Sequence, residues 1–349
     1  MSVVTGQFPM VRNRNTMTKP TPSADFEYRY PLEYSGRNFM FVERVLVTGG
    51  AGFIGSHLVE ALLAKGYKVR VLDNLSTGKV SNLPMDNANL NLVIGDVADS
   101  AVVAQAMRDC SAVVHLAAVA SVQASVDDPV GTHQSNFVGT LNVCENMLKA
   151  GIKRVVFASS AAIYGNNGEG SAIDEDTPKS PLTPYASDKL SSEHYLDFYR
   201  REHDLEPVIL RFFNIFGPRQ DPSSPYSGVI SIFTERALKQ QPVSIFGDGE
   251  QTRDFVYVLD LVSILLQAVE TREPRAGAVN IGLSRSTSLN DLIAELGTAT
   301  GNPLTVNHQA PRQGDIRHSR ANNARLLERF KLPEPTSIGN GLAQLIRSL

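Results

Sequence analysis

From Phe41 onward the chain alternates between two kinds of segment. One is short, apolar and rich in β-branched residues: "FVERVLVTG", "KVRVLDN", "LNLVIGD", "AVVHLAA", "RVVFASS", "PVILRFFN" and "AVNIG". The other is longer, with apolar residues at helical spacing: "FIGSHLVEALLAKG", "AVVAQAMRD", "HQSNFVGTLNVCENMLKAG" and "YASDKLSSEHYLDFYRREH". Continuous apolar strands alternating with helices predict a parallel sheet covered on both faces, an α/β doubly wound fold of Rossmann type. After Asn214 the rhythm loosens. "FGPRQDPSSPYSG" reads as a loop, and helices are expected over 229–239, 259–270, 288–298 and 321–330. The organisation expected is a dinucleotide-binding domain over 41–215, with a strand around 279–282 returning to it. A smaller C-terminal α/β substrate lobe is expected over 216–349.

The first 40 residues follow neither pattern. They are polar and irregular and lack the apolar stretch of a signal peptide, so they read as an extension. The chain's 349 residues and 42% hydrophobic content suit a globular protein with a sizeable core, and its net charge of -3 gives no nucleic-acid footprint. No apolar run approaches a membrane span. Cys110 and Cys144 are too few for a disulfide framework and read as buried hydrophobes, so a reducing cytoplasm is the expected compartment. No metal site is expected.

Between the first strand and the first helix, "VLVTGGAGFIGSHLVEALL" places Gly49, Gly52 and Gly55. Such glycines permit a tight turn, close approach of backbone to a pyrophosphate, and tight helix–strand packing. The helix N-terminus then offers free N–H groups to phosphate. Asp73 ends the second strand, where an acid accepts bonds from the adenosine ribose and disfavours a 2′-phosphate; this points to NAD, with Asn74 as a second polar contact. Asp96 closes the third strand, placed either to meet adenine or simply to cap a turn.

In "TPYASDK", Tyr185 and Lys189 lie four apart and share a helix face. An ammonium beside a phenol is expected to lower the phenol pKa, making a base for a sugar hydroxyl, while the lysine holds the nicotinamide ribose. Alone, the pair reads more readily as an ordinary surface contact. Ser160, at the end of the "RVVFASS" strand, strengthens it, because ligands in such sheets sit outside the strands' carboxyl ends.

Together with "VTGGAGFIGSHL", "LDNLSTG", "HLAA", "NFVGTLNV", "FASSAAIYG", "LRFFNIFGPRQDP", "FGDGEQTRDFVYVLDL" and "RQGDIRHSRAN", these motifs resemble the extended short-chain dehydrogenase/reductase family, and within it the UDP-hexose 4-epimerases. The resemblance runs from about Phe41 to the C-terminus. It implies Tyr185 as acid/base, Ser160 as its hydrogen-bonding partner and Lys189 as cofactor anchor. It also implies that Phe53, Ile54, Val97, Leu116, Ala117, Ala118 and Asn136 join the NAD site. For the UDP-sugar it implies Ser121, Asn214, Val229, Phe246, Arg253, Arg312, Asp315 and Ser319. The implied reaction is reversible C4 epimerisation through a 4-keto sugar, in a homodimer formed through the helices around 136–149 and 185–201.

Ser319 stands where a bulky residue would restrict the pocket to UDP-glucose and UDP-galactose; a small one leaves room for a C2 acetamido group. The pattern is thus most similar to UDP-N-acetylglucosamine 4-epimerases of bacterial polysaccharide pathways, the Pel exopolysaccharide-associated member among them. Where many relatives carry Pro-Arg this chain has Gln123 and Ala124, which argues against a sugar carboxylate. Ala161 and Ala162 stand where dehydratases and decarboxylases carry acidic groups. A non-catalytic NAD-sensing regulator would not need Ser160, Tyr185 and Lys189 together.

Overall fold

The computed structural model describes residues 43–167, 170–221, 228–271, 275–311 and 317–349. The N-terminal extension, Arg312 and Asp315 lie outside the described residues. In the first half, strands β1 (Arg44–Thr48), β2 (Lys68–Asp73), β3 (Leu90–Ile94), β4 (Ala112–His115), β5 (Arg154–Ser160) and β6 (Glu206–Phe212) alternate with helices. The helices are α1 (Phe53–Ala64), α2 (Ser100–Ala106), the short α3 (Val122–Asp127) and α4 (Pro129–His133), then α5 (Gly139–Ala150) and α6 (Pro184–His203). One π-helical turn, Gln134–Val138, joins α4 to α5.

In the second half come β7 (Asn214–Phe216), α7 (Val229–Leu238), β8 (Val243–Phe246), β9 (Thr252–Arg253), β10 (Phe255–Tyr257) and α8 (Val258–Glu270). They are followed by β11 (Val279–Ile281), β12 (Thr287–Ser288), α9 (Leu289–Thr300), β13 (Val306–Gln309), β14 (His318–Ser319), α10 (Ala324–Arg329) and α11 (Ile338–Arg347).

The main sheet has seven strands in the order β11-β6-β5-β4-β1-β2-β3, every neighbouring pair parallel. The order reverses between β1 and β4, the switch point where such sheets bind ligands. The central strands β1, β4 and β5 are buried on both faces, which explains their unbroken apolar runs. One helical layer closes a core containing Leu46, Val113, Val143, Met147, Phe157 and Leu196. Cys144 belongs to that core and Cys110 is half-buried just beyond α2; burial raises their thiols to about 12 and about 11.

The later half is not a separate block. β11 adds the outer strand beside β6, and α8 packs against α1 and over β4 and β5. What remains of it forms a second core around Phe216, Phe233, Val243, Tyr257, Leu292 and Leu345. Among the described residues no helix is long and apolar enough to cross a membrane.

Candidate active site

The turn between β1 and α1 is built by steric exclusion. Gly49 has φ +69°, and a Cβ there would stand 2.8 Å from the Ala117 nitrogen. A Cβ on Gly55 would stand 2.2 Å from the Gly49 carbonyl oxygen. Gly52 caps α1 without any side-chain hydrogen bond, and the first turn carries no acidic residue. The N–H groups of Phe53 and Ile54 therefore open this helix with no side chain competing for them, the arrangement that receives a phosphate. These residues fit the pyrophosphate of a dinucleotide.

Asp73, almost wholly buried at the end of β2, accepts from the backbone N–H groups of Ala51 (2.9 Å) and Leu75 (2.8 Å). Each bond uses one oxygen, so each oxygen keeps a lone pair for a ribose hydroxyl. Asn74 donates to Asp96 at 2.8 Å, and Asp96 also accepts from Ala98 N–H at 2.8 Å. The expected adenine-side residues thus meet one another, and Val97 next to them is buried in the core. Leu116, Ala117 and Ala118 follow β4, half-buried opposite the Gly49 turn.

A buried hydrogen-bond chain absent from the sequence-based expectations holds this bend. Ala117 N–H donates to Thr48 Oγ1 (3.2 Å), which meets His115 Nδ1 at 2.7 Å; His115 Nε2 meets Thr140 Oγ1 at 3.1 Å. Thr140 spends its own proton on the Asn136 carbonyl at 2.6 Å. Donor counting then makes His115 neutral with its proton on Nε2. Burial, reinforced by the Lys189 charge, lowers its pKa to about 3. The "HLAA" string contains this histidine, but its partners Thr48 and Thr140 are far off in sequence. Asn136 lies in the π-helical turn, where its amide accepts from Val119 N–H (2.7 Å) and donates to the Val119 carbonyl (3.1 Å). It pins the loop that leads to Ser121, which caps α3.

Ser160, Tyr185 and Lys189 come together as expected. Thr183 caps α6 and Pro184 opens it, which puts Tyr185 and Lys189 on the face turned to β5. The Ser160 hydroxyl accepts from Ala162 N–H at 3.1 Å, and its nearness to the Tyr185 phenol favours the phenolate. Lys189 is almost fully buried; its Nζ donates to the Ala158 carbonyl at 2.7 Å and stands 5.9 Å from the centre of the Tyr185 ring.

One electrostatic expectation is corrected. Burial raises the Tyr185 pKa, outweighing the Ser160 bond that lowers it, so the lysine does not make a ready phenolate. Burial also lowers Lys189 to about 8, against the opposing pull of Asp188 and Glu193. Removing water penalises both charged forms together.

Of the expected sugar-nucleotide residues, Asn214, Phe246, Arg253 and Ser319 lie on short strands of the second half, and Val229 opens α7. Asn214 begins β7 and donates through Nδ2 to the Asp254 carbonyl at 3.2 Å. Arg253 lies on β9 in register with Ser319 on β14, its Nη1 donating to the Thr252 carbonyl at 2.9 Å. Val229 starts α7 and Phe246 ends β8, both half-buried. The fully buried Asp254, another residue that sequence reasoning missed, accepts from the N–H groups of Leu283 (3.0 Å), Ser284 (3.0 Å) and Ala321 (3.1 Å), tying β9, β12 and β14 together. Its neighbour Ala321 packs with Ile163 and Tyr164, directly after Ser160. Ser319 of β14 lies two residues before Ala321.

Residues 45–282 match the family model described as "NAD dependent epimerase/dehydratase family". A putative UDP-glucose 4-epimerase of Methanocaldococcus jannaschii is 41% identical over 78% of this chain and 87% of its own. The UDP-glucose 4-epimerase of Mycolicibacterium smegmatis is 37% identical over 87% and 97%. Among solved structures, the UDP-N-acetylglucosamine 4-epimerase of Methanobrevibacter ruminantium with UDP-N-acetylmuramic acid superposes with a TM-score of 0.83 at 37% identity, covering 88% of this chain and 98% of its own. The UDP-glucose 4-epimerase of Thermus thermophilus in complex with NAD gives 0.80 at 39% identity, covering 87% and 98%. Because the family model matches residues 45–282 and relatives 37–41% identical are aligned over 78–87% of the chain, this protein belongs to the NAD-dependent epimerase/dehydratase family.

Proposed function

We propose that the protein is an NAD-dependent UDP-sugar 4-epimerase that prefers UDP-N-acetylglucosamine and UDP-N-acetylgalactosamine. The observation that carries the epimerase reading is the grouping of buried Tyr185 and Lys189 on one face of α6 against the end of β5 that carries Ser160, with Lys189 Nζ 5.9 Å from the Tyr185 ring centre and 2.7 Å from the Ala158 carbonyl. When bound, oxidised NAD supplies the hydride acceptor and a positively charged ring, which no side chain here provides. Tyr185 takes the proton from the sugar O4 as C4 is oxidised and returns it when C4 is reduced from its other face. Ser160 holds the reacting oxygen during both transfers. The Ser160 contact offsets part of the burial cost of the phenolate. Ala161 and Ala162, forming the turn after Ser160, bring no carboxylate to that turn for elimination or decarboxylation.

The N-acetyl preference rests on Ser319. It is small, stands opposite Arg253 in register, and lies two residues before Ala321, which packs with Ile163 and Tyr164. The M. ruminantium relative bears the matching name. A second reading, UDP-glucose/UDP-galactose 4-epimerase, is favoured by the names of the M. jannaschii and M. smegmatis relatives. NMR of the purified protein with each UDP-sugar separates them. Conversion mainly of the N-acetylated sugar supports the first reading; conversion mainly of UDP-glucose supports the second. No conversion of either defeats both and turns attention to NAD sensing.

Homodimer formation belongs to the same proposal. Val126 of α3, Val130 of α4 and Tyr195 and Phe198 of α6 are exposed, and Phe137, Tyr195 and Phe198 form a run of edge-on aromatic contacts. Such an apolar surface suits a second copy.

A further inference from the structure

Three consecutive residues at the carboxyl end of β5 each face a different turn of α6. The Ala158 carbonyl accepts from Lys189 Nζ at 2.7 Å, and the Ser160 hydroxyl lies near enough to the Tyr185 phenol to favour its phenolate. Between them, Ser159 Oγ donates to Glu193 Oε1 at 2.5 Å. Tyr185, Lys189 and Glu193 are spaced by four, so they form one stripe along the helix. The reaction as drawn above uses the contacts at residues 158 and 160; the bond to Ser159 has no part in it.

That bond is anchored with unusual weight for a serine. Ser159 and Arg211 are direct neighbours in the β5–β6 register, and their side chains meet the same carboxylate. Arg211 donates to Glu193 through Nη2 (2.7 Å to Oε2) and Nε (3.0 Å to Oε1). Its Nη1 is held by the Tyr164 hydroxyl at 2.7 Å and the Glu175 carbonyl at 3.0 Å. Tyr164 in turn donates to Asn280 of β11 at 2.7 Å. Ser159 is 2% exposed and Glu193 and Arg211 are each 6% exposed. A two-point guanidinium–carboxylate pair with its remaining donors satisfied has little freedom to turn.

We propose that Ser159, Glu193 and Arg211 are positioning residues for the epimerisation: the fixed Glu193 carboxylate, gripping Ser159, sets the register of α6 against the end of β5 and so the distance between the Ser160 hydroxyl and the Tyr185 phenol. This rests on the assignment of Tyr185 and Ser160 made above. None of the three touches substrate or cofactor in this scheme. Their effect passes through Ser160, whose backbone is continuous with Ser159.

The discriminating variant is Ser159→Ala. It removes the tether while Glu193 keeps both its bonds to Arg211, so the buried ion pair stays compensated. The expected result is a normal thermal melt, an unchanged KM for the UDP-sugar and a kcat reduced about 10- to 100-fold, the scale of a misplacement near 1 Å. The acidic limb of the kcat–pH profile also moves to higher pH, because a loosened Ser160 favours the phenolate less. A kcat and acidic limb like the wild type's overturn the proposal, as does a fall in kcat matched by a rise in KM with the limb unmoved. Tyrosinate absorbance of Ser159→Ala and wild type, each referenced to its own Tyr185→Phe partner, reads the phenol without turnover. An unshifted Tyr185 titration again overturns the proposal. If wild type converts no UDP-sugar while Ser159→Ala shifts that titration, the functional reading fails and the tether stands.

Discussion

Replacing Gly55 with alanine tests the cofactor cradle directly. The new Cβ would lie 2.2 Å from the Gly49 oxygen and 2.7 Å from the Gly50 Cα, both backbone atoms that no rotamer change can move. To restore ordinary contact the helix and turn must part by about 1 Å. That separation carries the N–H groups of Phe53 and Ile54 away from the phosphates, and hydrogen bonds lengthened by about 1 Å from about 2.9 Å are no longer bonds. Losing about two bonds to a charged group, at ~1.5–3 kcal/mol each, weakens NAD binding by about 10²–10⁴-fold. The fold loses about 1–3 kcal/mol through overpacking. Gly66→Ala is the control. Gly66 follows the same helix with φ +85°, and a methyl group there would meet no heavy atom within 4 Å. That variant therefore suffers only backbone strain of about 1 kcal/mol. Calorimetric titration of cofactor-stripped protein with NAD, alongside thermal melts, reads both effects. Wild-type NAD affinity in Gly55→Ala would refute the assignment of this turn as the phosphate cradle. Equal loss in Gly66→Ala would show that general destabilisation is the cause.

Tyr185→Phe is expected to cut kcat by about 10²–10⁴-fold while UDP-sugar binding persists, since the ring remains and only the proton carrier is lost; near-normal turnover removes it as acid/base. Ser319→Tyr should impair turnover of UDP-N-acetylglucosamine far more than that of UDP-glucose, and equal losses on both would discard Ser319 as a size gate. Lys189 sits near pKa 8 in the native protein, below its ordinary value, so its ammonium is lost as pH rises through about 8 and kcat should fall there. Over the window from about 8 up to the ordinary lysine range the unfolded chain binds more protons, so this group's contribution to stability rises with pH. A kcat that stays level through that window contradicts the cationic role. Light scattering at micromolar concentration should give a dimer mass, and a monomer would leave the exposed surface of Val126, Val130, Tyr195 and Phe198 without the partner proposed for it.

The central strands of the main sheet were legible because each is buried on both faces and so reads as an unbroken apolar run bounded by polar residues. β11 could be placed by the same signal in "AVNIG", although it is far along the chain. The Gly49–Gly55 turn and the Tyr185–Lys189 pair were legible because their spacing is local, and Ser160 because it ends an apolar strand. What escaped is long-range and polar. Strands of two or three residues, such as β9, β12 and β14, carry no periodicity, so their pairing around Asp254 has no sequence signature. The π-helical turn at Asn136 shifts the helix by one residue without any glycine or proline within it to announce it. Glu193 and Arg211 read as a helix-surface acid and a strand cation until the fold brings them together. The raised pKa of Tyr185 was missed for a related reason. Spacing gives the neighbouring lysine but not the depth of burial, which sets the direction of the shift.

The placement of β11 also bears on how the chain is made. Its backbone covers the outer edge of β6, and Asn280 within it closes the polar cluster at Tyr164 and Glu175. Domains fold as they leave the ribosome, N-terminal parts first. Here the sheet keeps an open edge, with unpaired backbone groups on β6, until the segment around 279–281 has been synthesised. Most of the chain must therefore emerge before the ground beneath Tyr164 and Arg211 is complete. A fragment stopped near residue 215 would carry the cofactor turn and the Ser160, Tyr185 and Lys189 group, yet expose that edge to other nascent chains.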